Sequence, residues 1–398
     1  MLSKRAQSLK ASPTLALVAK AKELQSKGHD VISLTVGEPD WATLQVAAEA
    51  GIAAIREGDT KYTAASGTIE LRKAIAGKIK NDIGTEYGPN EIMVGPGAKF
   101  VIFSALQMIC DPGDEIILHT PYWVSYPTMI ELAGGVPKIV ECGPQEGYKI
   151  TAAQLEKAIG PKTKGFLFCS PSNPTGMMYT REELTALAEV FRRHPQLVIL
   201  SDDIYNTLVF DETKLAPHLL QVAPELKDRL VAVNGASKSF AMTGWRMGWA
   251  AGPTKLIKAM GDYQSQATGA PSSIAQRASL AAIRHGEPEV AETVKTLVRR
   301  KNAGMAVLRA VKGFEVMEPQ GAFYFWVNLR GLLGRTHESR KVDSDSVFCD
   351  ILLNEYFVAT VPGAECGSPG FMRLSFACSE ESFAAAIERM KTMIAKFK

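Results

Sequence analysis

Between Glu91 and Ala251 short apolar runs recur along the chain, and helix-patterned stretches fill several of the gaps between them. The runs fall at 92–94, 115–119, 137–141, 165–169, 197–201, 230–234 and 247–251. Each is too short for a buried helix, and Gly, Pro, Asn or Asp stands close by, as expected of a buried strand. Helical periodicity appears at 99–110, 125–133 and 181–193. Strands that alternate with helices need crossover connections, and crossovers produce a mostly parallel sheet with helices on both faces. The expected fold class is therefore α/β.

The texture changes after Pro253. Helical patterns follow one another at 254–262, 272–285 and 288–311, then strand patterns at 322–329, 357–361 and 371–378, then an amphipathic stretch at 380–397. This reads as a smaller α+β unit, joined by an N-terminal helix at 15–27 and a short strand at 31–34. The expected division is a small domain of residues 1–45 and 290–398 and a large domain of residues 46–289. A chain of 398 residues suits two such units. The polar, basic segment 331–344 is expected to be a mobile surface loop.

Composition narrows the functional classes. Apolar content of 46% and charged content of 22% are those of an ordinary globular protein, and a net charge of +3 is too small to argue for nucleic acid or a membrane surface. The six cysteines contain no CxxC pair, so neither a disulfide framework nor a metal site is expected. With no secretory apolar segment and no run long enough to span a bilayer, the expected location is the cytoplasm.

Ligands of parallel sheets gather beyond the carboxyl ends of the strands. After 92–94 comes Gly97-Ala98-Lys99, a glycine turn opening a helix, whose free N–H groups can cradle a phosphate. After 115–119 come the flat faces of Tyr122 and Trp123. After 165–169 comes Ser170-Pro171-Ser172-Asn173-Pro174-Thr175-Gly176, and after 197–201 come Asp202 and Tyr205. After 230–234 comes Lys238, with Arg246 eight residues on. A lysine at the end of a core strand loses hydration, which lowers its pKa and lets the amine attack a carbonyl. Arg246 offers a planar fork suited to a phosphate. Singly, each has an ordinary explanation: a turn at Gly97, packing at Trp123, a turn at Asn173, a helix cap at Asp202, surface cations at Lys238 and Arg246. Together they offer an anion site, an aromatic plate, an amide, a carboxylate with a phenol, and an amine. Pyridoxal 5′-phosphate asks for that set.

On these residues the chain resembles the class I aminotransferases of the fold-type I pyridoxal-phosphate enzymes, most of all the bacterial Iβ-type aspartate aminotransferases. The likeness runs through SLTVGEPD, TKYT, DPGDEI, PYWVSYP, SPSNPTG, SDDIY, NGASKSFAMTGWRMGW and FMRLSFA. The resemblance implies roles position by position. Lys238 is the Schiff-base lysine and proton shuttle, and Asp202 the partner of the pyridine nitrogen, since only it stands three residues before Tyr205. Tyr205 and Asn173 bond the phenolic oxygen, Trp123 stacks on the ring, and Ala98, Lys99 and Arg246 hold the phosphate. Tyr62 is a phosphate ligand donated across a homodimer interface. Arg373 clamps the substrate α-carboxylate, with Gly37, Trp123 and Asn173 beside it. Lys10, in Lys10-Ala11-Ser12-Pro13-Thr14, matches the reader of a distal carboxylate. The implied reaction is ping-pong transamination between an amino acid, aspartate first, and 2-oxoglutarate. Aromatic, prephenate-type or aliphatic substrates and a lyase activity are the alternatives. Two positions depart from the pattern: Gly235 stands where the animal-type subgroup has a phosphate-binding serine, and Trp41 where GEPDF has phenylalanine.

Overall fold

The computed structural model describes residues 1–398 apart from 4, 5, 8 and 10–12, together with the backbone alone of Thr14. Lys10 therefore lies outside the described residues. Seven strands build the central sheet: β1 (Ile92–Gly95), β2 (Glu115–His119), β3 (Val136–Val140), β4 (Thr163–Cys169), β5 (Val198–Asp202), β6 (Leu230–Gly235) and β7 (Gly248–Ala251). Their order across the sheet is β1-β7-β6-β5-β4-β2-β3. Only β7 runs antiparallel to its two neighbours. Every predicted strand of the region is present within a residue or two.

Apart from its edge strand β3, where Val136 and Ile139 are exposed, the sheet is buried on both faces, so its strands read as apolar runs and not as alternating ones. Ile92, Ile116, Phe166, Ile199, Leu230 and Val231 are each fully enclosed. Helices Ala98–Ile109, Arg181–Arg193 and Thr254–Ala267 cover the faces. Helix Arg181–Arg193 starts at a capping box in which Thr180 accepts from the amide of Glu183 and the Glu183 carboxylate accepts from the amide of Thr180.

The C-terminal part forms a second, smaller sheet from β8 (Glu315–Val316), β9 (Tyr324–Asn328), β10 (Val361–Pro362) and β11 (Phe371–Ser375), in the order β10-β11-β9-β8. Helices Glu287–Arg309, Asp345–Tyr356 and Glu380–Ala395 belong to it. The N-terminal strand Ile32–Ser33 pairs in parallel with Val358–Ala359, which ties the first residues to the last. The run expected as one strand at 357–361 is divided. Residues 358–359 pair with the N-terminal strand, and 361–362 pair with β11.

The 331–344 segment, expected as a mobile loop, instead carries a short hairpin in which Thr336–His337 pairs with Arg340–Lys341. His337 is its anchor: the ring is buried and lies 2.9 Å from the Tyr356 hydroxyl. Leu332 and Val342 are buried beside it, and the polar composition of the segment hid these inward-facing side chains. Among the described residues no helix is long and apolar enough to cross a membrane.

Candidate active site

The carboxyl ends of β1, β2, β4, β5 and β6 open on one edge of the sheet, and the candidate residues collect there. At the β1 end, Gly97 sits at φ 92°, a conformation that strains any residue with a Cβ. A Cβ there would also strike the Arg246 guanidinium. Helix Ala98–Ile109 begins at the next residue, so its first amides face this edge unpaired within the helix. Arg246 donates from Nη1 to the carbonyl of Thr243 at 2.8 Å. That leaves a guanidinium and a helix N-terminus side by side, a donor set suited to a phosphate.

The glycine at 235 has a packing reason. Gly235 of β6 pairs directly with Gly248 of β7. A Cβ at 235 would stand 2.7 Å from the carbonyl oxygen of Met247, and one at 248 would overlap the amide of Ala98. The strands approach each other and the Gly97-Ala98 turn too closely for a serine.

At the end of β5, Tyr126 donates its hydroxyl to Asp202 Oδ2 at 2.6 Å, and the amide of Ile204 donates to Oδ1 at 3.3 Å. Burial pushes the Asp202 carboxyl up to about 7, even though Tyr126 pulls it down. A cationic ring N–H beside it would offset that cost. Asp203 is turned elsewhere: Ser201 donates to its Oδ1 at 2.6 Å, and His218 Nε2 lies 3.2 Å from its Oδ2.

Trp123 stands edge-on to Tyr126, ring centroids 5.3 Å apart. The Lys99 ammonium lies 5.2 Å from the centre of the Trp123 ring. Burial and the nearby Arg246 both lower its pKa. Lys238 follows β6 and donates from Nζ to the carbonyl of Gly37. Loss of hydration brings its pKa down to about 8; Glu38 and Asp202 oppose that shift, while Arg246 and Arg373 add to it.

Arg373, on β11, is 2% exposed. Its Nη1 donates to Asn173 Oδ1 at 2.8 Å and its Nη2 to the carbonyl of Thr35, while its Nε is buried without a partner. Both acceptors are neutral, so this buried cation has no carboxylate partner among the described residues. Such a charge is costly to enclose unless an anion joins it. Tyr324 of β9 lies against the guanidinium at 4.6 Å, and its hydroxyl is 2.8 Å from that of Tyr205.

Lys238, Asp202, Tyr205, Asn173, Gly37, Arg373, Arg246, Ala98, Lys99 and Trp123 thus converge on one region. Tyr62 does not; its side chain is fully exposed on the single chain. The sequence reading missed Tyr126, Tyr324 and the carbonyl of Thr35. Tyr126 could have been found, because it stands three residues after Trp123 at a helix start. Tyr324 sits in an unbroken apolar strand and reads as core.

A family model described as "Aminotransferase class I and II" matches residues 29–390. The chain belongs to that family. This aminotransferase is 46% identical over 389 residues to the aspartate aminotransferase of Geobacillus stearothermophilus, covering 98% of each chain. It is 45% identical to the aspartate/prephenate aminotransferase of Cereibacter sphaeroides, covering 97% of each. Among solved structures, the aspartate aminotransferase of Rhizobium meliloti superposes with a TM-score of 0.96 at 40% identity, over the whole of both chains. That of Thermus thermophilus with maleate gives 0.91 at 38% identity, over 99% of each.

Proposed function

We propose that this aminotransferase transfers the amino group of L-aspartate to 2-oxoglutarate with pyridoxal 5′-phosphate, in two half-reactions of ping-pong form. The observation that carries the reading is the meeting of a partly buried amine of lowered pKa with a buried carboxylate and two cations that lack carboxylate partners among the described residues. The residues fit the cofactor: Gly97, Ala98 and Arg246 form the anion cradle, Trp123 the plate, Asp202 the partner of the ring nitrogen, and Tyr205 and Asn173 the partners of the phenolic oxygen. When bound, the cofactor supplies an electron sink for the substrate Cα–H bond.

The protein's own groups do the rest. Arg373 binds the α-carboxylate through its unpaired edge and so fixes the Cα position. Lys238, with a pKa brought down to about 8, is neutral often enough near that pH to take the Cα proton and return it. Trp123 closes one face against water. A dicarboxylate substrate needs a second cation: Lys99, whose ammonium lies over Trp123, is one candidate by position, and Lys10, outside the described residues, is the other by its resemblance alone. Names of relatives support the substrate; prephenate, which appears in one of them, is also a dicarboxylate.

The working unit in this reading is a cytoplasmic homodimer in which Tyr62 reaches the partner's phosphate cradle. Supporting it, Tyr62, Ile52, Ile55 and Ile69 are all exposed along one stretch of the single chain. The small unit is residues 1–45 and 290–398, and the large unit residues 46–289.

Borohydride reduction of the loaded protein followed by peptide mapping is expected to place the pyridoxyl group on Lys238. A label on Lys99 or any other lysine would overturn the site. A panel of amino donors with 2-oxoglutarate is expected to give the highest kcat/KM for aspartate; a preference for alanine or phenylalanine removes that substrate. Mixed dimers of Lys238→Ala and Tyr62→Phe subunits should regain activity, and hybrids without recovery would place Tyr62 in its own subunit's site.

A further inference from the structure

Tyr324 is assigned no role by the sequence pattern, yet it touches three separate parts of the site. Its side chain is fully enclosed. Its hydroxyl stands 2.8 Å from that of Tyr205, at the start of the loop after β5. Its ring lies under the Arg373 guanidinium, 4.6 Å from ring centre to carbon, across the β9–β11 pair. The same hydroxyl fills the space a Cβ would take at Gly37, the residue whose carbonyl accepts from Lys238. A phenylalanine would fill the core equally well, and an apolar strand gives no reason for a phenol. A buried hydroxyl is retained at a cost unless it has a partner.

We propose that Tyr324 is a positioning residue with two separable actions. Its hydroxyl donates to the oxygen of Tyr205, which leaves the Tyr205 proton free to point at the cofactor's phenolic oxygen. Its ring holds the Arg373 guanidinium in the plane that meets the substrate α-carboxylate. The inference rests on the proposed pyridoxal-phosphate reading.

The direction of the first action follows from hydrogen-bond cooperativity. A hydroxyl that accepts a bond becomes a stronger donor. Tyr205 then stabilises the anionic phenolic oxygen better when Tyr324 donates to it. Losing that donor should raise the pH at which the bound cofactor's visible band changes. The second action is a cation–π contact, which survives replacement of tyrosine by phenylalanine and is lost with leucine.

The experiment is a spectrophotometric pH titration of the loaded wild type, Tyr324→Phe and Tyr324→Leu, with maleate affinity measured from the change in the same band. Tyr324→Phe is expected to shift the midpoint upward by about 0.3 pH unit while leaving maleate affinity within about twofold of wild type. Tyr324→Leu is expected to show the same upward shift and to weaken maleate binding about tenfold. A midpoint in Tyr324→Phe that is unchanged or lower overturns the hydroxyl's role. Equal maleate affinity in the Phe and Leu variants overturns the ring's role. Should the leucine variant not fold, Tyr324→Met takes its place. Wild-type protein that takes up no cofactor, and so shows no band, refutes the cofactor reading itself and is distinct from either result.

Discussion

Two halves of the site are built in different ways. The side proposed to hold the cofactor comes from the ends of five strands of one sheet, and its close approaches depend on backbone. Gly97, Gly235 and Gly248 let the β1 turn, β6 and β7 meet with no side chain between them. The carboxylate side is assembled from distant parts of the chain. Arg373 bonds Asn173 across 200 residues and Thr35 across 338, and Tyr324 joins it to Tyr205 across 119. Forming the seven-stranded sheet is enough to create the first half. The second exists only when the C-terminal sheet and the N-terminal segment dock against it. The cofactor side is therefore expected to keep its function when the other is damaged, and the reverse should not hold.

The strongest test of that asymmetry is Arg373→Leu. Removing a buried, charge-assisted clamp costs about 3–4 kcal/mol of transition-state binding. That corresponds to a fall in kcat/KM of about 10²–10³ for every donor, at about 1.4 kcal/mol per decade. Cofactor affinity, measured by equilibrium titration of the apoprotein, should change little. A parallel loss of cofactor affinity would show that the two halves are not independent.

A smaller effect is expected from Asp202→Asn in the apoprotein. Burial raises the Asp202 pKa to about 7 from the 3.8 ordinary for an aspartate. Between those pH values the native state holds a proton that the unfolded chain has released, so stability falls as pH rises through the window. Above pH 7 the cost is fully present. Asparagine carries no such charge, so the variant should be more stable than wild type at pH 8 by about 2 kcal/mol, with the difference gone near pH 4. Urea unfolding at the two pH values measures it. Added cofactor should reverse the order by binding the wild type more tightly. Curves that stay parallel from pH 4 to 8 would mean that Asp202 is ionised without penalty.

The smallest effect concerns the second cation. An exposed ion pair is worth about 1 kcal/mol, so loss of the distal-carboxylate reader should lower kcat/KM for aspartate about tenfold and spare alanine. Lys99→Ala and Lys10→Ala, assayed on both donors, decide between the two positions. Selective loss in Lys99→Ala would assign the reader to the start of helix Ala98–Ile109; selective loss in Lys10→Ala would assign it to the first residues of the chain. Equal loss on both donors in either variant would mean that its lysine does not read the distal carboxylate.

Much of this architecture was legible in the chain, because strands buried on both faces announce themselves as short apolar runs. Six strands of the main sheet show that mark; the seventh, edge strand β3, carries Pro137 and Lys138 and is legible by its place between helical stretches. Also legible were the strand-end residues Gly97, Asn173, Asp202, Tyr205 and Lys238, since each lies within a few residues of a run's end. The helix Asp345–Tyr356 was missed: its apolar residues follow directly on the polar hairpin, and its start is marked only by the Ser344 cap. The break at Thr360 was also missed, because a single apolar run carries no mark of where one pairing partner gives way to another.

What the sequence determined by itself is the parallel sheet and the donor groups along its edge. These follow from local periodicity and from chain connectivity, which places the ends of parallel strands on one side. Tertiary structure alone decided that Asp202 and not Asp203 bonds Tyr126, that Gly235 has no room for a serine, and that Arg373 meets Asn173, Thr35 and Tyr324. Each of these depends on distances between segments remote in sequence, and periodicity carries no information about how two separately formed layers dock.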